Sequence, residues 1–323
     1  MSALRRMRFS IIAARAQVRG KYGDAVGARN LFRVALPLAS REFGDNDPNT
    51  LSVRNHLAYW TSRAGDIAGS KEMYTTLIPV IERVCGQDNP STLIVRLSLA
   101  RLTGETGDAA SAAAQLKDLL QVRERVSGSA HPETLATRQD LAYWTGMAGD
   151  AVRARDEFAA LMPVRERVSG AEHTDTLAAR RSLAYWTGEA GDPASAAAQL
   201  RALVPVLERV SGAEHPDTLK ARQALAYWIG VAGDPARARD ELAALVPVRE
   251  RVSGAEHPDT LSARRHLARW TGAAGDPTEA RNQLAALLDM LERVRGQEDL
   301  DTRAARRDLA SWTEKASQAD SDG

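Results

Sequence analysis

Histidine is the first residue type whose spacing could indicate a reactive site. It recurs once every 42 residues in a predicted loop, at His131, His173, His215 and His257. His56 and His266 share a second position of the same period. A transition-metal site needs several ligands within a few ångströms of one ion, and this spacing distributes single histidines along the chain. The pattern therefore favours loop hydrogen bonding or helix capping, and we predict no metal site.

The remaining reactive residue types do not form a catalytic pattern. The single cysteine, Cys85, stands where sibling repeats have serine, and no neighbouring base is indicated. Paired acids such as Glu189 and Asp192 lack the apolar pocket that a general acid requires. The chain has no phosphate-binding loop, no catalytic-triad order and no dinucleotide-binding glycine pattern. We predict a protein that is not an enzyme and binds no cofactor.

Length and charge exclude further classes. The 323 residues suggest two domains or one elongated assembly of small units. Lysine plus arginine number 43 against 42 acids, which argues against bulk capture of nucleic acid or an anionic membrane. The sequence has no run of 18 apolar residues and no convincing signal peptide. With one cysteine, we expect a cytoplasmic protein without a membrane partner.

One 42-residue period runs through the whole chain. Residues 171–212 and 213–254 share 30 of 42 positions, and no insertion breaks the register. All six tryptophans occupy one position of the period, while Leu102 fills the remaining slot. The tryptophans are Trp60, Trp144, Trp186, Trp228, Trp270 and Trp312. Such a period is typical of stacked structural repeats.

Each repeat is predicted to form two helices. In residues 171–212, Asp175 or Thr176 can cap helix A, and Gly191 can end it. Pro193 suits the first turn of helix B. An apolar stripe then follows at Ala196, Leu200, Leu203, Leu207 and Val210. The tryptophan is expected to pack between helices A and B of its own repeat, with its indole N–H on a carbonyl. Since one helix pair cannot bury its apolar face alone, the repeats should stack.

The residues Leu183, Ala184, Gly191, Ala196 and Leu200 resemble the tetratricopeptide repeat. The longer repeat with a His-Pro-Asp-Thr-Leu entry loop is similar to the kinesin-light-chain-type subclass, which is common in bacterial proteins. One departure is Trp186, since the family usually has its aromatic at the position of Thr187. The resemblance implies an all-α, right-handed superhelical solenoid of antiparallel helix pairs, about 15 helices in total. It also implies binding of peptides or protein segments in a concave groove lined by helix A.

The period divides the chain as follows. Residues 1–44 form a diverged N-terminal repeat or cap, residues 297–316 a C-terminal capping helix, and residues 317–323 a disordered tail. Between them lie six repeats over residues 45–296, namely 45–86, 87–128, 129–170, 171–212, 213–254 and 255–296. The arginine-rich N-terminal helix is interpreted as a cap, as a docking segment for an acidic partner or as a nucleic-acid arm. Its arginines are Arg5, Arg6, Arg8, Arg15 and Arg19.

In the terms of the family, positions that vary between repeats on one face of helix A would line the groove. The aromatic row consists of Tyr59, Arg101, Tyr143, Tyr185, Tyr227 and Arg269. The neighbouring row includes Gln139, Arg181, Gln223 and Arg265. A glycine row is expected to open the surface for close approach, at Gly104, Gly146, Gly188, Gly230 and Gly272. Such a groove can hydrogen-bond an extended peptide and pair with its carboxylates.

The sequence supports three alternatives to different degrees. A non-catalytic scaffold that binds a protein or peptide is the favoured function, with a segment of acidic character as the hypothesis for the partner. A regulatory module that senses a peptide and changes its superhelical pitch is the second hypothesis. A solvated helix A face with no dedicated ligand remains open, as does self-association through an incompletely capped end.

A second recurring pattern, arginine early in helix A and glutamate late in helix B, predicts a ladder of ion pairs between repeats.

Overall fold

A computed structural model describes the backbone of residues 2–322 and the side chains of residues 7 and 9–318. All regular elements in this range are α-helices, and fifteen are present, which confirms the predicted fold class. The helices are α1 (Ser2–Lys21), α2 (Ala25–Phe43), α3 (Pro48–Arg63), α4 (Ile67–Cys85), α5 (Pro90–Glu105), α6 (Ala109–Ser127), α7 (Pro132–Met147), α8 (Ala151–Ser169), α9 (Thr174–Glu189), α10 (Pro193–Ser211), α11 (Pro216–Val231), α12 (Pro235–Ser253), α13 (Pro258–Ala273), α14 (Pro277–Arg295) and α15 (Leu300–Asp322).

The chain divides into two compact units whose boundary lies inside α8, between Val164 and Arg165. In the first unit, each helix from α1 to α7 packs against the next one along the chain. In the second unit, α9 to α15 pack in the same consecutive manner. Equivalent helices also touch across one intervening helix, as α9 does with α11 and α11 with α13. Each predicted 42-residue range contains one helix A and one helix B.

Side-chain caps define where the helices begin. The Asp234 carboxylate accepts a hydrogen bond from the backbone N–H of Arg237 at 3.0 Å, and Pro235 follows at the first turn of α12. Helix A begins differently, because the Nδ1 atom of His215 accepts from the backbone N–H of Asp217 at 3.2 Å. The same cap occurs at His131, His173 and His257. The predicted capping role of this histidine row is therefore confirmed.

Two glycines per repeat end the helices because they adopt positive φ. In the fourth full repeat, Gly191 has φ of +99° after helix A and Gly212 has φ of +104° after helix B. Between these ends, the apolar stripe of α10 is buried at Ala196, Leu200, Leu203 and Leu207, each at most 4% exposed. Val210, the last residue of the predicted stripe, is 39% exposed because it lies beyond the packed part of the helix.

The tryptophans join successive repeats. In unit 2 the Trp228 indole lies against Gly188 of the preceding helix A, where an added Cβ would be 2.5 Å from the ring. The same contact is described for Gly20 with Trp60, Gly104 with Trp144, Gly230 with Trp270 and Gly272 with Trp312. Trp144, Trp228 and Trp270 are buried as predicted, whereas Trp60 and Trp312 are half-buried. Each of the five rings packs against the neighbouring repeat.

Two further expectations are corrected by this contact. The glycine row was expected to open the groove, and Gly188 instead receives a tryptophan ring. The Nε1 atoms of Trp228 and Trp270 are buried without a hydrogen-bond partner in the described protein, because each ring packs flat against the preceding helix. The one repeat position without a tryptophan also lacks the glycine that a tryptophan ring would contact. Leu102 occupies the tryptophan position, and the matching glycine position holds Ser62.

The predicted arginine–glutamate ladder is present in most repeats. Arg96 pairs with Glu82 and Arg264 with Glu250, at 2.6 and 2.8 Å. The same pair forms at Arg138–Glu124, Arg180–Glu166 and Arg306–Glu292. Arg54 pairs with Asp45 instead, because Ser40 occupies the glutamate position of that repeat. Each pair is partly exposed, so each contributes about 0–1 kcal/mol.

The chain ends differ in part from the prediction. Helix α15 was expected to end at residue 316 and to be followed by disorder, but it extends to Asp322. Ala316 is fully buried and the Ser317 hydroxyl donates to the Thr313 carbonyl, so helical contacts continue past the predicted boundary. The side chains of Arg5, Arg6 and Arg8 lie outside the described residues, and Gly323 does as well.

The tryptophan–glycine contact predicts a specific double-mutant result. Gly188→Ser places a side chain where the Trp228 ring packs, and should destabilise the protein by about 1–3 kcal/mol. Trp228→Leu alone also destabilises it through lost burial. The double variant reproduces the natural Ser62–Leu102 combination, so we expect a favourable coupling of about 1 kcal/mol in urea unfolding. Strictly additive effects would contradict the contact.

The histidine caps predict a matched pair of variants. His215→Ala removes the acceptor for the Asp217 N–H, and should cost about 1 kcal/mol in urea unfolding. His215→Asn keeps an acceptor, as Asn89 does at the same position of another repeat, and should leave stability within about 0.5 kcal/mol. Equal losses in both variants would show that the imidazole acts by packing instead of by capping.

Candidate functional site

A cavity of about 700 Å³ lies in unit 2, and we call it the unit 2 cavity. This volume is within the range of small-ligand and peptide pockets. Helix A residues of four successive repeats, on α9, α11, α13 and α15, form most of its wall. Helix B contributes only two of its residues, Arg249 from α12 and Leu284 from α14. The cavity therefore lies on the helix A side of unit 2.

Aromatic side chains form one wall of the cavity. Tyr227 meets the Trp228 ring edge-on at 5.0 Å between centroids and the Trp270 ring at 6.2 Å. Tyr185 is placed in the same way against Trp228, at 6.1 Å. Each tyrosine thus rests on the tryptophan of the following repeat, which itself is fixed against a glycine. The tyrosines are preorganised by this packing, with Tyr185 39% exposed.

Two of the cavity's arginines are held by acids. Arg265 pairs with Asp308 at 2.6 Å between its Nε and the carboxylate. Arg249 pairs with Asp259 at 3.4 Å, and its side chain is only 2% exposed. Burial lowers the pKa of the Arg249 guanidinium, and the Asp259 charge partly offsets this effect. Both pairs link an arginine to the following helix A, so they are part of the repeat packing as well.

Of the other cations of the cavity, two lie over aromatic rings and one has no ion pair. The Arg269 guanidinium lies 5.0 Å from the Trp270 ring centroid and 5.8 Å from that of Tyr227. The Lys315 ammonium lies 4.2 Å from the Trp312 centroid. Lys220 and Glu189 line the cavity without an ion pair to any described residue. After the paired groups cancel, three cations and one acid remain, so the lining carries a surplus of two positive charges.

His266 is the titratable group most affected by this site. Burial, followed by the charges of Arg265 and Arg269, lowers its pKa to about 4, whereas Asp308 acts in the opposite direction. Its Nδ1 atom lies 3.3 Å from the Gln223 amide nitrogen, and its ring lies 5.4 Å from that of Tyr227. The imidazole is consequently neutral at physiological pH and can accept a hydrogen bond from Gln223.

Five of the ten predicted groove residues meet at this cavity, namely Tyr185, Gln223, Tyr227, Arg265 and Arg269. Arg181 lies elsewhere in unit 2, beside a small pocket with Leu207. The other four belong to unit 1. Arg101 is paired with Asp140 at 2.6 Å, Gln139 is half-buried on α7, and Tyr143 meets Trp144 edge-on.

Tyr59 lies on a second cavity, of about 530 Å³, in unit 1. This cavity is lined by the first three helix A segments together with Tyr74 from α4. Burial raises the pKa of Tyr74 to about 12. His56 is part of the lining at the repeat position that His266 occupies in unit 2, but arginine is absent from this wall. The two cavities therefore have different chemistry.

Sequence reasoning missed several residues of the unit 2 cavity. Arg249 was overlooked because the groove was expected to be lined by helix A, and Asp308 because only the variable aromatic and polar rows were considered. A signal did exist in the repeat alignment. At the position of Arg249, three full repeats have Ile81, Leu207 and Leu291 and three have an arginine, so half of the repeats replace an apolar residue with a buried charge there.

Two classes of site are not found in the described residues. No group of three histidine, cysteine, aspartate or glutamate side chains within residues 7 and 9–318 could hold a metal ion. Among the helices described, none combines the length and the apolar character needed to cross a lipid bilayer.

The lowered pKa of His266 predicts a pH dependence. The unfolded chain binds a proton to this histidine near pH 6.5, and the folded protein only near pH 4. Acidification through this window therefore favours unfolding, and between pH 7 and 5 this group should remove about 2 kcal/mol of stability. His266→Gln should abolish this part of the pH dependence in urea unfolding. An unchanged difference between pH 7 and 5 in the variant would contradict the assignment.

The architecture is similar to solved structures of several organisms. A putative kinesin light chain from Podosopora anserina with nearly identical TPR-like repeats is 21% identical and has a TM-score of 0.56 over 63% of this chain and 96% of its own. A tetratricopeptide repeat protein from Parabacteroides merdae is 15% identical, with a TM-score of 0.64 over 94% and 98%. The quorum sensor NprR from B. thuringiensis, in its apo form, is 8% identical, with a TM-score of 0.71 over 89% and 77%. At these identities the likeness shows the fold alone.

The sequence was also compared with protein-family models and with curated proteins. No curated protein matches the chain. Two tetratricopeptide repeat models match it, one over residues 222–293 and the other over residues 50–91, 92–133 and 176–217. Together these segments cover more than half of the chain, in the register of the 42-residue period. The protein belongs to the tetratricopeptide repeat family.

Proposed function

We propose that this protein is a non-catalytic scaffold that binds a segment of another polypeptide against the helix A surface of unit 2. The observation that supports the proposal is the unit 2 cavity, in which helix A residues of four successive repeats line one continuous space. Tyr185 and Tyr227 offer rings to apolar side chains, and Gln223 offers its amide oxygen to a backbone N–H, because its amide nitrogen contacts Ser262 and His266. We also propose a cytoplasmic location, for which the argument is the single cysteine.

The geometry suits an extended chain better than a compact small molecule. Tyr185 and Tyr227 stand at one repeat position, so they present the same chemistry at regular steps along the wall. An extended peptide is likewise a regular array of amides and side chains. Interfaces with such segments are enriched in tyrosine, tryptophan and arginine, all of which line this cavity. Membership of the tetratricopeptide repeat family supports the same function.

A second candidate is a sensor that changes its superhelical pitch when the segment binds. The similarity to the quorum sensor NprR favours this candidate. Small-angle scattering distinguishes the two functions, because a sensor should become more compact on ligand addition, whereas a passive scaffold should keep its dimensions. The ligand for this measurement is a peptide obtained by the selection described next.

The proposal predicts the outcome of a peptide selection. A phage-displayed library of random dodecapeptides should yield binders, and the double variant Tyr185→Ala/Tyr227→Ala should bind the selected peptides at least about tenfold more weakly. Tyr22→Ala serves as control, because Tyr22 is 82% exposed and lies on neither cavity. Peptides whose affinity is the same for wild type and double variant would exclude the unit 2 cavity as the binding surface.

A further inference from the structure

Arg249 in α12 is a buried arginine at the wall of the unit 2 cavity. Its side chain is 2% exposed, yet it lines the unit 2 cavity. Among the described residues its ion-pair partner is Asp259, at 3.4 Å from one terminal nitrogen. The buried Nε atom has no hydrogen-bond partner. An arginine has five N–H donors, and at least the Nε donor of this buried guanidinium is unpaired in the described protein.

The fold does not require an arginine at this position. Equivalent positions hold Leu207, Leu291 and Ile81 in three repeats, all buried to a similar degree. In two others they hold Arg123 and Arg165, which are buried and paired with an acid of the next helix A. In the repeat of Leu207, the acid at the start of the next helix A is still present as Asp217. A leucine facing this acid is thus compatible with the same packing. A buried ion pair seldom adds net stability over well-packed apolar residues, so stability does not require an arginine at this position.

A comparison with Arg123, at the same repeat position in unit 1, sharpens this point. Arg123 donates to the Glu133 backbone carbonyl at 2.7 Å and pairs with the Glu133 carboxylate at 3.4 Å. Arg249 has the ion pair but no described hydrogen bond to a carbonyl. It therefore retains more unused donor capacity than Arg123, and it retains it beside a cavity large enough for a ligand.

The charges around Arg249 indicate the sign of the ligand. Lys220 lines the same cavity without an ion pair to any described residue, and Arg269 and Lys315 rest on aromatic rings. Glu189 is the one acid of the lining that is not paired, and Asp259 and Asp308 are each engaged by an arginine. The surplus is positive, and a desolvated guanidinium binds a carboxylate more strongly than an exposed one does.

We propose that Arg249 selects an acidic side chain of the polypeptide segment that the cavity binds. The inference rests on the proposed function and adds the chemical class of the ligand. A carboxylate that enters the cavity satisfies donors of Arg249 that Asp259 leaves unused, and Lys220 contributes a second positive charge. Arg249 acts as an anchor from helix B, whereas the tyrosines and Gln223 of helix A contact the rest of the segment.

The experiment uses the full-length protein and the peptides selected from the dodecapeptide library. Wild-type protein should enrich aspartate and glutamate over their frequency in the naive library. A selected peptide is then synthesised with an amidated C terminus, which removes the terminal carboxylate, together with a second form in which asparagine and glutamine replace its acids. Wild-type protein should prefer the acidic form by at least about tenfold.

The variant Arg249→Leu should reduce this preference to about threefold or less, and it should fold, because other repeats carry leucine there. Its melting temperature is expected to equal or exceed that of the wild type. Arg251→Leu is the matched control, because it removes the same charge from a residue two positions further along α12. Arg251 is exposed, pairs with Glu214 and does not line the cavity. This control should keep the full preference for the acidic peptide.

The possible outcomes separate the two proposals. Binders that lack acids, or an acidic preference that survives in Arg249→Leu, would overturn the role of Arg249 and leave peptide binding by the cavity intact. An equal loss in Arg249→Leu and Arg251→Leu would also overturn it, because the effect would then be one of net charge. A selection that yields no peptide sensitive to Tyr185→Ala/Tyr227→Ala would overturn both proposals.

Discussion

The contact between a tryptophan and a glycine of the preceding helix A is the interaction on which the rest of the structure depends. A glycine such as Gly188 has no side chain, so the Trp228 ring can pack directly against the backbone of its neighbour. Any larger residue would separate the two helices or displace the ring. Where the contact recurs, it sets the position of one helix A relative to the next, and between α3 and α5 the pair Ser62 and Leu102 takes its place.

The same contact determines which part of helix A remains available for a ligand. The tryptophan and glycine are buried between repeats, whereas the residue before the tryptophan, such as Tyr185 or Tyr227, is directed to the cavity. Each tyrosine then meets a tryptophan edge-on, and Arg269 lies over the face of Trp270. The binding surface is thus an extension of the packing between repeats, and its aromatic groups are held in place before a ligand arrives.

Much of the fold could be predicted because capping residues mark the start and end of each helix in every repeat. The Gly-Asp pair ends one helix and caps the next, and the histidine before Pro216 caps helix A. The neighbour of each tryptophan could not be read from the period, since a repeating position is compatible with contacts inside or between repeats. The sequence did contain one indication, since the glycine and the tryptophan of this contact are replaced together, by Ser62 and Leu102. This coincidence can be interpreted only when the contact is known.

The candidate site was predicted to a lesser extent. The tyrosine and arginine rows follow from helical spacing and the family resemblance, and five of these residues meet at one cavity. Arg249 was not predicted because the groove was expected to be lined by helix A, and because its burial depends on packing that spacing alone does not specify. His266 is similar, since its neutral state results from the burial and the arginines that surround it.

The most direct measurement is a crystal structure of the protein bound to a selected peptide. The account predicts that the peptide occupies the unit 2 cavity in an extended conformation, in contact with Tyr227 and with a carboxylate within ion-pair distance of Arg249. A peptide bound to the helix B surface or to the loops, with the unit 2 cavity unchanged, would contradict it.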